Sequence, residues 1–555
     1  MKFDFEKLKK ENIVIPFLTT IVVGLLTHLP VMVNDFPNSD AMTNFYFDQN
    51  MVTSGRWFLT VACGITSYFD LKWINAVLSV VYLAVAAVLL VAIFEVKDKI
   101  AMGLIGALLV TFPAVTATFA YMYTADGYYM GFALAVLAVF LTKQFKKPGW
   151  IFGGIALSFS LGIYQAYLAA TILLCLFDII LACAKNRDIR ETLTLGLRYL
   201  GMGVLGGISY YVILKICLLL QHKQMDTYQG LDHMGKISVS ELPQQISAIY
   251  HDFAAFALKG NIFFQNYFSL AAAVVLCVVA LCALITILVR SKAYRKWNLI
   301  LLILVCAALI PLGTNIVLLM SSDAYYHLLM RMQWALFPVM AVVLAQCAIK
   351  SMEGDRPETV SESEEKTSES KEKASENKDK SEERKEKSVR IRIGIFPLTL
   401  SLLATVASLL LIWQFVLEDN IAYFNMRERY EKTYAYCLRL IDRMEQTEGY
   451  YTGMPVAMIG VIDEEKYPVT DITGDVTNHI SGTTGDILVY KGEQYFYFMK
   501  NYMGFTFNII LDGDRIVEIA ESKEYEEMDS FPAKDSVKIV KGVMYIKTEP
   551  PQWRQ

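Results

Sequence analysis

Long apolar runs recur along most of the chain, and short polar stretches separate them. A helix needs about 20 apolar residues to cross a bilayer. The pattern therefore predicts about eleven membrane spans, near residues 13–33, 73–94, 100–120, 128–142, 149–162, 164–184, 197–220, 268–289, 297–319, 333–350 and 393–416. The run 149–184 is too long for one span, and Gly162 with the polar Gln165 marks the expected break. The first run lacks a small-residue cleavage site, so we interpret it as a retained span.

The short basic segments between the runs predict the orientation. They are the N-terminal KLKK and residues 95–99, 143–147, 185–198 and 290–296. With alternating spans these segments fall on one side, which the positive-inside rule makes cytoplasmic. The opposite, outer side then receives residues 34–72, 121–128, 221–267 and 320–332 together with the C-terminus.

Composition supports a membrane protein and excludes other classes. Charged residues make up 19% of the 555 residues and the mean hydropathy is +0.38, whereas soluble domains carry about 25% charged residues. The nine cysteines show no metal-ligand spacing, so neither a zinc site nor a disulfide framework is predicted. No nucleic-acid partner is expected.

The last third of the chain divides into segments of different character. We predict a membrane domain over 1–350, a disordered charged cytoplasmic linker over 351–392, a last span over 393–419, an amphipathic helix over 420–448 and an outer β-rich domain over 449–555. In that domain VAMIGVI, DILVYKG, EQYFYFM, FNIILDGD and SVKIVKGVMYIK are predicted strands, and Lys491–Gly492, Asp512–Gly513 and Lys541–Gly542 are predicted turns. The predicted fold class is an α-helical polytopic membrane protein with a small C-terminal α+β domain.

Polar residues gather in the predicted outer loops. The clusters are Asp35, Asp40, Asp48 and Arg56; Thr124 to Gly127; Tyr164 to Tyr167; His222, Asp226, Tyr228, Asp232 and His233; and Ser321 to Asp323 with His327 and Arg331. Polar groups beside a membrane span are costly unless they are solvated or paired, so such clusters are candidate sites. An Arg can pair a lipid phosphate, aromatic rings can stack on a sugar, and an Asp can deprotonate a hydroxyl.

The order of these loop motifs resembles the bacterial integral membrane glucosyltransferase family typified by type II O-antigen glucosyltransferases. The resembling pieces are SDAMTNFYFDQNMVTSGRW, YTADGYYMGFALAVLAVFLTK, SLGIYQAYLA, SSDAYYHLLMRMQWALFPV and NIAYFNMRERYEKTYAYCLRL. The resemblance implies the membrane-embedded GT-C class, which takes glucose from a polyprenyl-phosphate donor at the outer face and adds it to a cell-surface polysaccharide or glycolipid. Residues 351–388 and the C-terminal domain have no counterpart in the resemblance.

The resemblance also implies roles for particular residues. Asp40, before the GRW sequence, is the expected general base, with Asp35 and Asp126 as the next candidates; Arg331, Arg56 and His327 are expected to bind the donor phosphate; and Tyr164, Gln165, Trp57 and Asp323 are expected to contact sugar or acceptor. Structural alternatives are a helix cap for Asp40, an interfacial anchor for Arg56 and helix-break packing for Tyr164. Arg331, beside an apolar span, requires an anionic partner.

The expected reaction is a single displacement that inverts the sugar. No cofactor is predicted, no metal ligands are assigned, and the need for a divalent cation is left open. Expected partners are the lipid-linked sugar, its acceptor, membrane lipid, a donor synthase and a small flippase. The expected location is the bacterial plasma membrane with a cytoplasmic N-terminus and an extracytoplasmic C-terminal domain. Two alternatives stay open: a flippase or polysaccharide exporter, and an O-antigen-type polymerase or ligase.

Overall fold

The computed structural model describes residues 10–43, 45–145, 147–226, 240–260, 262–263, 266–320, 326–353, 376–460, 477, 479–483, 488–489 and 491–549. Most of these residues are helical. The helices are α1 (Lys10–Val33), α2 (Leu59–Cys63), α3 (Lys72–Phe94), α4 (Lys99–Val110), α5 (Ala114–Phe119), α6 (Met122–Gln144), α7 (Gly149–Ile163), α8 (Leu168–Ala184), α9 (Ile189–Leu220), α10 (Leu242–Lys259), α11 (Tyr267–Arg290), α12 (Trp297–Thr314), α13 (Val317–Met320), α14 (Leu336–Glu353), α15 (Glu376–Glu445), α16 (Gly492–Met503), α17 (Gly513–Ala520) and α18 (Lys523–Glu526).

Nine helical segments of the described chain are long and apolar enough to cross a membrane, and α4 and α7 are shorter apolar helices. Together these helices account for the eleven apolar runs of the sequence. The protein is therefore a polytopic helical membrane protein, which confirms the predicted fold class.

Helix α6 lies near the centre of the bundle, packed between α3 and α7, and α9 packs on the outside of α7. Glycine makes the close contacts of this layer. A Cβ at Gly154 of α7 would meet Leu205 at 2.9 Å, and one at Gly206 of α9 would meet Leu157 at 2.9 Å. Helices approach closely in membranes where small residues face each other, so these positions fix α9 against α7.

Two predicted spans contain breaks that position the loops. The run predicted as one span over 100–120 is divided into α4 and α5 at Pro113, which has no N–H to continue the helical hydrogen bonds. The break predicted near Gly162 and Gln165 is confirmed. There α7 ends at Ile163, Tyr164 is extended at φ −155° and ψ 114°, and a short 3-10 turn leads into α8.

The two ends of the bundle differ in chemistry. We call the end formed by residues 34–71, 121–128, 164–167 and 326–335 the site end. The opposite end, which we call the basic end, holds residues 95–99, 143–145, 185–189 and 290–296. At the basic end Lys143 donates to the Ile93 carbonyl at 2.6 Å and pairs with Asp178. The predicted grouping of the basic segments at one end is thus observed.

Helix α15 runs without a break from Glu376 to Glu445. From the sequence this stretch was predicted to contain the end of a disordered linker, a last span over 393–419 and a separate amphipathic helix over 420–448. Neither Gly nor Pro occurs between Pro397 and Gly449, so nothing in the sequence interrupts the helix where it leaves the apolar layer. Residues 354–375 of the predicted linker lie outside the described residues.

The C-terminal domain contains a four-stranded sheet of β1 (Pro455–Ile459), β2 (Asn508–Ile509), β3 (Val537–Val540) and β4 (Val543–Lys547). The spatial order is β2-β1-β4-β3, with β1 parallel to both neighbours and β3 antiparallel to β4. Lys541 and Gly542 join β3 to β4 with φ values of 47° and 79°. Positive φ at both turn positions is typical of a two-residue hairpin, so that predicted turn is confirmed.

Three other predictions for this domain were wrong. The predicted turn at Lys491–Gly492 is the start of α16, with Lys491 at the N-cap position. The segment EQYFYFM, predicted as a strand, belongs to α16, where Tyr495, Phe498 and Met499 are buried at helical spacing. The predicted turn at Asp512–Gly513 is the start of α17, where the Asp512 carboxylate accepts the backbone N–H groups of Asp514 and Arg515. An Asp before Gly serves equally well as a helix cap or a turn residue, so the dipeptide alone did not distinguish them. In the predicted strand DILVYKG, Asp486, Ile487 and Tyr490 lie outside the described residues, and Leu488 and Val489 do not belong to a strand.

Candidate functional site

Asp40 is presented by a tight turn in the first loop of the site end. The side-chain amide oxygen of Asn38 accepts the backbone N–H groups of Asp40 and Ala41 at 3.0 and 2.7 Å. Pro37, Asn38, Ala41 and Met42 are buried, whereas the Asp40 side chain is exposed. The surrounding chain still shields the carboxyl enough to raise its pKa, and the charge of Lys491 opposes that rise. A raised pKa makes a carboxylate a better proton acceptor.

Arg56 lies against two stacked tyrosines. It donates through Nη1 to the Tyr128 hydroxyl at 2.9 Å, and its Cζ lies 4.8 Å from the centre of the Tyr164 ring. The rings of Tyr128 and Tyr164 stack at 4.5 Å with an angle of 2° between their planes. A guanidinium held flat on aromatic rings keeps its charge in a partly desolvated place, where an anion would be attracted strongly.

Gln165 supports the turn that precedes Arg56. Its Nε2 donates to the Ser54 carbonyl at 3.0 Å and to the Tyr210 hydroxyl at 2.9 Å, and Tyr210 donates to the Gly55 carbonyl at 3.1 Å. Gly55 has φ +76°, and a Cβ there would meet Gln165 at 2.4 Å. The structure therefore places Gln165 behind the loop as a support. Its predicted sugar contact stays a prediction.

Trp57 packs on the end of α7. A Cβ at Gly162 would meet the Trp57 ring at 2.6 Å, and the backbone N–H of Phe58 donates to the Gly162 carbonyl at 2.7 Å. The Trp57 ring also lies 5.7 Å from Phe159. Glycine is therefore required at position 162 so that the GRW segment can lie close to the helix break.

Asp126 is buried near the start of α6. Thr66 and Asn75 donate to its two carboxylate oxygens, each at a long 3.4 Å. Asp126 and Tyr128 are two residues apart on one helix, so they point to different faces. Asp126 accordingly faces α3 and the segment after α2, away from the Arg56 stack. The sequence grouped Asp126 with Asp40, and the structure gives it a separate, enclosed environment.

Asp35 belongs to an ion-pair cluster at the start of α3. Lys72 lies 3.1 Å from the Asp35 carboxylate and also pairs with the buried Asp70. A paired carboxylate holds its charge against Lys72, so this geometry supports a structural role for Asp35. Its predicted catalytic role stays a prediction.

Arg331 has its anionic partner within the protein. Its Nη1 and Nη2 donate to the two carboxylate oxygens of Asp252 at 2.8 and 2.9 Å. The guanidinium lies between the rings of Tyr326 and Phe256, 3.9 and 4.3 Å from their centres. Asp252 comes from α10, a helix that the sequence analysis did not predict. The two-oxygen carboxylate of Asp252 occupies the place in which a donor phosphate was expected.

His327 lies near Arg331 and is half-buried. Burial lowers the pKa of its imidazole below the usual value, so the ring is neutral at neutral pH and adds no positive charge for phosphate. Asp323, like Tyr228, Asp232 and His233, lies outside the described residues.

Asp40 and Arg56 belong to the same loop, and Gln49 of this loop donates to the Tyr123 carbonyl at 3.2 Å. Tyr123, at the start of α6, is close enough to both side chains for their charges to act on its hydroxyl. Tyr164 is likewise within electrostatic reach of Arg56 and of Tyr326. Among the predicted residues, Asp40, Arg56 and Tyr164 therefore share one aromatic-lined region, whereas Asp35 and Asp126 belong to separate clusters.

A buried polar network in α15 was not predicted. Asp419 accepts a hydrogen bond from Thr116 at 2.7 Å, Thr116 contacts the Tyr423 hydroxyl at 3.0 Å, and Tyr423 contacts His28 at 2.6 Å. The preceding residue, Glu418, pairs with His479. The sequence offered one signal for this network: the adjacent acids Glu418 and Asp419 directly follow an apolar run.

No group of three or more His, Cys, Asp and Glu side chains with the geometry of a metal site occurs among the residues that the structure describes. The described side chains at the site end include a carboxylate, a guanidinium and aromatic rings.

Comparison with known proteins gives one match. A family model described as Glucosyl transferase GtrII matches residues 29–347, a segment that contains Asp40, Arg56, Asp126, Tyr164 and Arg331 and ends before α15. No curated protein and no solved structure gives a significant match.

Proposed function

Because the chain belongs to the GtrII glucosyltransferase family, we propose that it moves one glucose from a polyprenyl-phosphate donor to a cell-surface polysaccharide or glycolipid of the O-antigen kind. The family and the apolar helices make the protein a membrane glycosyltransferase. The donor, the acceptor and the residue roles are our proposal. The observation that carries it is that one loop presents Asp40 on a tight turn and Arg56 against the stacked rings of Tyr128 and Tyr164.

In this mechanism the donor's lipid tail lies between helices and its phosphate binds Arg56. Asp40 accepts the proton of an acceptor hydroxyl while that oxygen bonds to the anomeric carbon. The bond from this carbon to the phosphate oxygen breaks, and polyprenyl phosphate leaves with the electron pair. One displacement inverts the sugar configuration. The Arg56 charge stabilises the phosphate most strongly as the leaving group gains charge.

Arg56 is the better-placed phosphate ligand of the two predicted arginines. It lies within reach of the same tyrosine as Asp40, whereas both Nη atoms of Arg331 donate to Asp252. A donor phosphate at Arg331 would have to displace a bidentate carboxylate from a stacked, buried guanidinium.

We further propose that the site end faces outward across a bacterial plasma membrane, with the N-terminus and the basic end cytoplasmic. A donor made inside the cell would then have to cross the membrane first. The reaction thus requires a polyprenyl-phosphate glucose synthase and a lipid-linked sugar flippase as partners.

The test is glucose transfer by purified protein from radiolabelled polyprenyl-phosphate glucose, with UDP-glucose as the control donor. We expect label to reach the acceptor from the lipid donor only, and to do so equally in EDTA, because the proposed mechanism uses no metal. Transfer from UDP-glucose alone would overturn the donor assignment. If the protein moved the lipid-linked sugar across liposomes without cleaving it, the flippase alternative would replace this proposal.

A further inference from the structure

The C-terminal domain packs against the turn that carries Asp40. Met42 is completely buried, and it belongs to the apolar core that this domain forms with the end of α15. Core residues around it include Tyr436, Leu440, Phe498 and Met499. Inserting a loop side chain into the core of another domain ties the two together with the free energy of apolar burial.

Polar contacts hold the same turn from both sides. After Asp40, the Asn501 side chain of α16 donates to the Met42 carbonyl at 2.8 Å. Before Asp40, Arg429 of α15 donates to the Pro37 carbonyl at 3.2 Å. Asp40 therefore lies between two backbone carbonyls that are each bonded by the C-terminal part of the chain.

Lys491 adds a charge to this arrangement. It directly precedes α16, and its ammonium acts on the Asp40 carboxyl. The domain that contacts the turn thus also supplies a cation whose charge lowers the pKa of the proposed base. Tyr123 of α6 faces the same carboxyl. The other charged groups around the turn are Arg429, Arg56 of the same loop, and the cluster of Asp35 with Lys72.

The residues of the C-terminal part of the chain that act on the turn lie outside the segment that the family model matches. That segment ends at residue 347, whereas Arg429, Lys491 and Asn501 follow it. The match alone therefore assigns no function to the C-terminal domain, and only the contacts with the turn suggest one.

We propose that the C-terminal domain completes the active site, with Asn501 and Met42 as positioning residues that fix the Asp40 turn and Lys491 as the residue that sets the charge beside the base. This inference rests on the proposed function, because it assumes that Asp40 accepts the acceptor's proton. It gives the domain a part in catalysis beyond recognition of a polymer.

The expected pH effect has a definite sign. Asp40 works as a base only when ionised, so transfer falls as the pH drops through its pKa. The Lys491 charge holds that pKa down. Replacing Lys491 with Gln removes the charge, and the acid side of the rate profile should move to higher pH. Lys491→Arg should restore the wild-type profile.

The experiment measures kcat, the donor KM and the pH profile of transfer for full-length variants. Asn501→Ala should lower kcat by about tenfold or more with the donor KM nearly unchanged, since small misplacements of a reacting group are costly. Lys500→Gln is the matched control for Lys491→Gln, because the exposed Lys500 carries the same charge within α16, and it should behave as wild type.

Outcomes separate the two proposals. If wild type transfers no glucose, the proposed function fails. If wild type is active and Asn501→Ala and Lys491→Gln match it in kcat and pH profile, the inference about the C-terminal domain is wrong. If Asn501→Ala does not fold, the comparison of Lys491→Gln with Lys500→Gln decides alone.

Discussion

Gly55 permits the turn that leads into Arg56. Its φ of +76° is left-handed, and a Cβ would meet Gln165 Nε2 at 2.4 Å and the Tyr210 hydroxyl at 2.5 Å. Gly55→Ala should cost more than the about 1–2 kcal/mol of left-handed strain alone, because it also displaces two hydrogen-bonding side chains. Thermal unfolding in detergent should show a clear decrease beside Gly207→Ala, whose Cβ would meet nothing within 4 Å. Equal unfolding temperatures for the two variants would show that the Gly55 turn does not need glycine for its close contacts.

The Arg331–Asp252 pair should matter for stability. Breaking a buried pair costs about 3–5 kcal/mol because one charge stays buried without its partner. The Asp252 side chain is 31% exposed and that of Arg331 is 7% exposed, so Asp252→Asn should fall toward the lower end of that range. Glu431→Gln breaks the exposed Arg427–Glu431 pair of α15 and should cost about 0.3–0.5 kcal/mol. Similar unfolding temperatures for both variants would contradict this role.

The sequence predicted which charged side chains need a partner, but it did not predict which residues those partners are. The sequence required an anion for Arg331 because an unpaired guanidinium beside a span is costly. It did not identify Asp252, which is separated by 79 positions and lies on an unpredicted helix. Asp40 was ranked ahead of Asp35 and Asp126 by the family resemblance, and the sequence did not predict the surroundings of any of the three. Only the packing distinguishes an ion pair, an exposed turn and a buried site, because each depends on contacts distant in sequence.

Helix α15 is joined to the rest of the bundle through the Thr116 hydroxyl, which contacts both Asp419 and Tyr423. Thr116→Val keeps the shape but leaves the buried Asp419 carboxylate without this donor, which should cost about 1–3 kcal/mol. Thr111→Val is the control, because the buried Thr111 hydroxyl donates only to the Ala107 carbonyl of its own helix. If thermal unfolding does not distinguish the variants, the network contributes nothing to holding α15.

Elements were predictable where one periodicity dominated. The apolar runs predicted the spans because a bilayer demands length and hydrophobicity together. Short segments of the C-terminal domain were harder, as α16 shows. Its run EQYFYFM is rich in aromatics that favour strands, and the tertiary burial of Tyr495, Phe498 and Met499 made it a helix instead. The continuity of α15 after Pro397 could have been predicted, because neither Gly nor Pro occurs from Leu398 to Glu445.

The bundle as a whole separates basic loops from the candidate site, and this separation predicts a sidedness. In a cysteine-free background, Asp48→Cys at the site end should react with a membrane-impermeant maleimide added to intact cells. Lys97→Cys at the basic end should react only after permeabilisation. Both side chains are exposed, so access to the reagent decides the result. The reverse labelling pattern would place the site end in the cytoplasm and rule out an outer-face reaction.

At the level of the whole chain, the sequence predicted which loops share an end of the bundle, because alternation of spans leaves no freedom once the spans are correct. It could not predict that the C-terminal domain meets the first loop. That contact depends on Met42 entering a core built from α15 and α16, and no local pattern around Met42 indicates a distant partner.

The most direct test of the mechanism is the rate of glucose transfer from polyprenyl-phosphate glucose by Asp40→Asn beside wild type. Asp48→Asn is the matched control in the same loop, since the Asp48 side-chain oxygen only accepts the Asn50 N–H and an amide oxygen can replace it. We predict that Asp40→Asn loses transfer by about 10²-fold or more, in line with removal of a general base, while it still folds and Asp48→Asn retains full activity. Undiminished transfer by a folded Asp40→Asn protein would show that another group takes the proton and would contradict the mechanism.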